Sequence, residues 1–257
     1  MSGTTTDRLL GGRVALVQPA GGHRAGLDAL LLAATVSPGF GGRAADFGAA
    51  AGAVGFAVAA RCADASVLCV EREAALVDMA HQALALPQNA GFAARVDAAA
   101  LDIGASARLR HAAGLGARAF DMVLANPPFH DTTQRPSPDA ARRAAHAFQP
   151  GDWSRWTRTA ADCLRPGGTL TAILRPRNLT DWLDALGTRF GEATLLPIHP
   201  RQGEPAGRLI VRARLQSRAA LAILPGLVLH GADGTWQPEV ATILQGNATI
   251  ELDRRAR

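Results

Sequence analysis

Apolar positions fall in short runs along this chain, each broken by Gly, Pro or a polar cluster. Arg13 to Gln18 (RVALVQ) alternates as a short strand does. Pro19 to Asp28 is a glycine-rich turn, and the continuously apolar Ala29 to Val36 after it predicts a buried helix. After a Gly/Pro loop, Arg43 to Phe47 predicts the first strand of a main sheet, followed by a helix over Ala53 to Arg61. The same alternation continues with a strand at Ser66 to Val70, a helix at Ala74 to Leu86, and strands at Ala93 to Ala98 and Phe120 to Ala125. Asp152 is placed as the N-cap of a helix from Trp153 to Leu164, which Pro166-Gly167-Gly168 ends and turns into a strand, Thr169 to Leu174. A helix at Thr180 to Arg189 precedes strands at Thr194 to Ile198, Arg208 to Leu215 and Leu227 to His230, and a short helix, Pro238 to Leu244. Residues 1–12 are expected to fray. Strands alternating with helices predict an α/β fold with a doubly wound, mainly parallel sheet, and the late succession of strands predicts an antiparallel edge.

The length of 257 residues and 48% apolar content support one sizeable core. No uncharged apolar run is long enough for a membrane span, and Met1 to Arg13 is too polar for a secretory signal. Cys62, Cys69 and Cys163 have no paired spacing, so neither a disulfide framework nor a metal site is expected, and a cytoplasmic setting is. The formal charge is +5, and every cation apart from His is Arg. Coding rich in Ala, Arg and Gly explains the choice of Arg. The sign is compatible with a polyanionic partner such as RNA.

The most informative stretch is Asn126-Pro127-Pro128-Phe129 after the strand ending at Ala125. Neither proline donates a ladder hydrogen bond, so the strand stops there. Ligands of open parallel sheets bind at such carboxyl ends. The Asn carboxamide and the adjoining backbone carbonyl offer acceptors, and Phe129 offers a flat face. The set suits an exocyclic amine on an aromatic or amide system. Asp46-Phe47-Gly48-Ala49-Ala50-Ala51-Gly52 sits at a strand-to-helix turn, where Gly allows a ligand close to the backbone. Glu71 ends the next strand, the place of an acid that accepts from ribose hydroxyls. Asp102, with Asp97 as competitor, follows the third strand and could accept from an adenine amino group.

Together these motifs resemble the class I S-adenosylmethionine-dependent methyltransferases, in the amino-group branch that carries Asn-Pro-Pro-aromatic. The resemblance implies a Rossmann-like fold. It also implies S-adenosylmethionine held by Asp46, Gly48, Gly52, Glu71 and Asp102, and catalysis by Asn126, Pro127 and Phe129. The family usually has glycine where Ala50 stands. Gln18-Pro19, Gly22-His23-Arg24 and Asp28 to Ala33, with Ala145-His146 and the Leu227 to Gly246 tail, further resemble bacterial tRNA(Val) adenine-N6 methyltransferases. That resemblance implies a tRNA substrate and a single domain over 1–257, in which 1–42 closes the cofactor site on a 43–257 core. Pro128, His130, Arg142 and Arg143 would contact substrate. Arg24 and Asp28 would border the site, or else simply cap and pair around their helix. Guanine-N2 methylation of rRNA, glutamine-N5 methylation of protein and non-catalytic RNA binding remain alternatives.

Overall fold

The structure, a computed structural model, describes residues 3–21, 26–127 and 151–253. It opens with an antiparallel hairpin of β1 (Thr4–Leu9) and β2 (Val14–Pro19), paired from Thr4 with Pro19 to Leu9 with Val14. This corrects the expectation of fraying for residues 3–12. Residues in β1 alternate between exposed and half-buried, while β2 is almost wholly buried.

The main sheet takes its strands from the alternating part of the chain. In order these elements are α1 (Leu27–Ala34), β3 (Arg43–Phe47), α2 (Ala53–Arg61), β4 (Ser66–Glu71), α3 (Ala74–Leu84), β5 (Val96–Ala100), α4 (Ala107–Ala112) and β6 (Phe120–Ala125). Then come α5 (Asp152–Cys163), β7 (Leu164–Leu174), α6 (Leu179–Leu186), β8 (Phe190–Arg201), β9 (Arg208–Leu215), β10 (Ala222–Ile223), β11 (Leu227–His230) and α7 (Pro238–Leu244). In space the strands run β5-β4-β3-β6-β7-β9-β8-β10, with β11 also on β8. All neighbours are parallel except β9, which runs against both β7 and β8. The antiparallel part therefore lies on the side reached last, as the late strands predict.

The chain leaves β3 toward β4 on one side and enters β6 on the other. Strand order thus reverses beside β3, and a crevice opens at the carboxyl ends of β3, β4 and β6. Two hydrophobic clusters cover the faces. One joins β2, α1, α2 and α7 residues such as Leu16, Leu31, Phe56 and Val240; the other joins Phe47, Phe120, Leu164 and Trp182.

Several elements differ from the sequence reading; β8, for one, spans Phe190–Arg201 rather than Thr194 to Ile198. Ala93–Arg95 is a 3-10 turn, and the third strand begins at Val96. The short α4 carries no apolar stripe, so periodicity does not find it. Gly151 at φ +94° caps α5, and Asp152 is its first residue, paired with Arg155 at 3.0 Å. Pro166-Gly167-Gly168 lies inside β7 as an irregularity in its pairing with β6. A Cβ on Gly168 would meet the carbonyl oxygens of Arg165 and Asp121 at 2.9 and 3.0 Å, so only glycine fits.

Asn89, wholly buried, docks the N-terminal hairpin. Its Oδ1 accepts from Ala15 N–H at 2.9 Å, and its Nδ2 donates to the carbonyls of Ala15 and Ala83 at 2.8 and 2.7 Å. The side chain thereby takes the place of a strand partner for β2. Asn89→Ala takes the side-chain partner from the buried Ala15 N–H and carbonyl, while the Ala83 carbonyl keeps the Leu86 N–H at 3.0 Å; the substitution is expected to cost about 3 kcal/mol. A denaturant midpoint unchanged from wild type would contradict this.

Among the described residues, no helix is long and apolar enough to cross a membrane, and no group of three or more His, Cys, Asp or Glu could hold a metal ion. All three cysteines are buried free thiols. The arginines of the last strands do not form an uncompensated basic surface. Arg201 pairs with Glu204, Arg208 with Asp28, Arg212 with Asp253 and Arg214 with Glu192.

Candidate active site

The floor of the crevice is the turn after β3. Gly48 and Ala49 both donate N–H to the Val70 carbonyl, at 2.9 and 3.1 Å, which folds the turn over the end of β4. Gly48, Ala50 and Gly52 have φ of +66°, +47° and +93°, the left-handed region. A Cβ on Gly48 would lie 2.7 Å from the Trp156 ring, and one on Gly52 would meet Phe56 at 2.6 Å. Both glycines are therefore required by conformation and by space. Ala50 has the conformation without the glycine, which gives physical meaning to its departure from the family pattern. Its methyl is exposed, so the misfit lies in the backbone. Ala50→Gly is expected to stabilise the protein by about 1 kcal/mol, a rise of about 2–4 °C in Tm at this size. A lowered Tm would overturn that account.

Glu71, at the end of β4, secures the same turn. Its Oε2 accepts from Ala50 N–H and its Oε1 from Glu73 N–H, both at 3.0 Å. A carboxylate has about four acceptor positions, so lone pairs remain for further donors.

Asp46 is 1% exposed, with Oδ2 accepting from Gly55 N–H at 3.0 Å and Oδ1 without a partner. Burial pushes its pKa up to about 7; the Gly55 N–H pulls the other way, and the Glu71 charge adds to the rise. Gly55 is a site residue that the motifs did not mark. A Cβ there would meet Cys69 Sγ at 2.5 Å, so glycine lets α2 approach β4 and reach Asp46.

Asp102 lies just beyond β5, exposed, with Oδ1 accepting from Gly104 N–H at 2.7 Å. Its competitor Asp97 sits within β5 opposite Leu68, away from the carboxyl end. The structure thus gathers Asp46, Gly48, Gly52, Glu71 and Asp102 along the carboxyl ends of three adjacent strands.

On the other side of β3, Phe47 pairs with Ala125, which brings Asn126 level with Gly48. Asn126 is half-buried and Pro127 buried. Pro128, Phe129, His130, Arg142 and Arg143 lie outside the described residues, as do Gly22 to Ala25 and Ala145-His146. Asp28 is described, and its Oδ2 accepts from Arg208 Nε at 2.7 Å, tying the start of α1 to the start of β9.

Helix α5 adds Trp153, Trp156 and Arg155 to the surroundings of the site. Trp153 and Trp156 form one face packed on the core, as their spacing predicts. Trp153 meets Trp182 edge-on at 5.4 Å between centroids, and Trp156 meets Phe47 at 6.1 Å. Trp156 also covers the Gly48 backbone, and Arg155 lies over Gly104 beside Asp102. The helix thus walls both ends of the row of cofactor candidates.

The methyltransferase small domain family matches residues 25–197, two thirds of the chain and all of the site just described. The chain belongs to this family. A protein of Agrobacterium tumefaciens, described as a predicted O-methyltransferase, is 36% identical, with a TM-score of 0.76 over 87% of this chain and 98% of its own. A 16S rRNA N2 methyltransferase of Thermus thermophilus, solved with AdoMet and guanosine, has a TM-score of 0.55 at 21% identity. That match covers 83% of this chain and 50% of the other, and it shows likeness of fold. No curated protein sequence matches the chain.

The protein is an S-adenosylmethionine-dependent methyltransferase. Its residues fit that cofactor. Gly48 and Gly52 give the turn its positive-φ path, Glu71 keeps acceptor capacity for ribose hydroxyls, and Asp46 holds an unpartnered oxygen beneath the turn. The bound cofactor supplies an electrophilic methyl group on a sulfonium.

Proposed function

We propose that the protein methylates N6 of an adenine in tRNA, the adenine beside the anticodon of tRNA(Val). The observation that carries this reading is the placement of Asn126-Pro127 level with Gly48, at the mouth of the cofactor turn. An adenine amine is a poor nucleophile because its lone pair is delocalised into the ring. The Asn126 carboxamide oxygen and the Pro127 carbonyl accept its two hydrogens, which holds the nitrogen and turns its lone pair toward the methyl group. The nitrogen becomes acidic only after transfer, so no general base of shifted pKa is needed. In this reading Phe129 stacks on the base, and Pro128, His130, Arg142 and Arg143 meet the substrate. Taking a base out of a single-stranded loop costs little. Segment 1–42 closes the cofactor site on the 43–257 core, in keeping with the Asp28–Arg208 tie at the carboxyl edge. The N-terminal signature and the +5 charge support tRNA as partner, and a cytoplasmic setting follows from that partner.

The test is transfer of labelled methyl to total tRNA and to rRNA from a strain lacking the gene, read by nucleoside mass spectrometry. N6-methyladenosine in tRNA is the expected product. Label recovered as N2-methylguanosine in rRNA, or in neither RNA while the cofactor binds, overturns the reading.

A further inference from the structure

The carboxyl edge that carries the site continues past β6, and one group of side chains on it has no part in the chemistry above. His230 ends β11 and Trp236 lies six residues on, across a tight turn. Their rings stack at 4.2 Å between centroids and 25° between planes. Trp236 is 40% exposed, one of four large apolar side chains left open among the described residues. The pair is held in place by its own turn. Gly231 N–H donates to the Thr235 carbonyl at 2.9 Å, Gln237 N–H to the Leu229 carbonyl at 2.9 Å, and His230 Nδ1 lies 3.1 Å from the Gly234 carbonyl. Asp233 accepts from both the N–H and the hydroxyl of Thr235, at 3.0 and 2.7 Å. A large aromatic ring is thus fixed at the surface rather than folded inward.

A cation stands beside it. His230 is in register with Arg201 in the parallel pairing of β11 and β8, so the two side chains leave the same face. Arg201 is bound to Glu204 at 3.4 Å, with both side chains about half exposed, an ion pair of the weak surface kind that a phosphate can displace.

The register also locates this group relative to Asn126. Ala125 is level with Ala172, Ala172 with Val211, and Val211 with Leu195, so Asn126 is level with Leu196. Strand β8 runs on from Leu196 to Arg201, about 17 Å past that level at 3.3 Å per residue. Strand β11 lies four strand spacings from β6, about 19 Å. The aromatic pair therefore stands about 25 Å from the reactive turn, on a wall rising from the same edge. That distance is bridged by several nucleotides of a strand whose target base is in the crevice, and not by a single nucleotide.

We infer that Trp236, His230 and Arg201 form a second RNA-binding platform, on which a base flanking the target stacks against the exposed indole while Arg201 meets the adjoining phosphate. The inference rests on the RNA substrate proposed above. Base-on-aromatic stacking is tolerant of sequence and strong enough to anchor a strand, so the platform sets the path of the RNA rather than the identity of the methylated base.

The experiment compares wild type, Trp236→Ala, Trp236→Phe, Trp236→Leu and Arg201→Ala in steady-state methyl transfer to an unmodified tRNA transcript, with thermal midpoints recorded alongside. Trp236→Ala is expected to raise KM for tRNA about tenfold, with KM for S-adenosylmethionine unaltered. Trp236→Phe keeps a ring and recovers most of the affinity; Trp236→Leu keeps apolar bulk without a ring and does not. Arg201→Ala flattens the salt dependence of KM for tRNA. Equal KM for tRNA in wild type and Trp236→Ala overturns the platform. So does full rescue by Leu, which would show that the indole only packs the turn. A wild-type protein that binds cofactor and methylates no RNA overturns the proposed function and the platform with it. A wild type active on tRNA alongside unaffected variants overturns the platform alone.

Discussion

Asn126→Ala is expected to lower kcat about a hundredfold to a thousandfold while leaving the binding of S-adenosylmethionine intact. The expectation follows from position. Asn126 is the first residue past β6, level with Gly48, and Pro127 behind it is buried, so the carboxamide stands on a fixed backbone at the mouth of the cofactor turn. In the proposed mechanism, removing it takes away an acceptor for the amine that becomes positively charged as the methyl arrives. That interaction is stronger in the transition state than in the ground state, so the loss falls on kcat more than on KM. Asn126→Asp keeps an acceptor oxygen and is expected to retain more activity than the alanine variant. Single-turnover methyl transfer with calorimetry of cofactor binding separates the two steps. Full-rate transfer by Asn126→Ala would end the amine-holding mechanism, and lost cofactor binding would move Asn126 to the cofactor side of the site.

Asn126 was legible in the sequence because two prolines stop a strand wherever they occur, and the stop marks a carboxyl end. Glu71 and Gly48 were legible for a related reason: a turn that needs positive φ and an acid one strand later are local requirements. The elements that escaped lack such local marks. Strand β1 reads TTTDRL, with no apolar run, and exists because β2 pairs with it. Strand β5 reads VDAAA, which has as much helical as extended character, so its start was placed three residues early. The ion pairs of the β9 arginines are not legible in spacing, because their partners lie 180, 41 and 22 residues away for Arg208, Arg212 and Arg214. The spacing of Trp153 and Trp156 puts both on one helix face against the core, where the structure has them partly buried. That the Trp156 ring also covers Gly48 depends on how α5 crosses the sheet, and no spacing within the helix encodes the crossing.

Asp46→Asn is expected to raise the stability of the cofactor-free protein at pH 8, and the gain is expected to disappear as the pH falls toward 4. The Asp46 carboxyl has an ordinary pKa of 3.8 when the chain is unfolded and about 7 when folded, chiefly because burial penalises its charge. The folded state therefore binds more protons than the unfolded state between these values, and stability must fall as pH rises across that window. The stabilisation is fully present below the unfolded pKa and is lost as pH rises through about 7. The interval corresponds to roughly 4 kcal/mol at its limit. Asparagine is neutral throughout, and its carbonyl can keep the bond from Gly55 N–H. Its amide N–H group enters the place of the unpartnered oxygen and carries a desolvation cost of about 1–3 kcal/mol, so the pH dependence of the difference is the reading rather than its absolute size. Thermal or denaturant midpoints of both proteins from pH 4 to pH 8 supply it. A difference that stays constant across that range would show that Asp46 does not titrate there. A core position selected for stability alone would not hold a carboxyl with one unpartnered oxygen at such a cost. Its place directly beneath the cofactor turn, one residue before Phe47 and in reach of the Glu71 charge, ties the cost to the site that the turn builds.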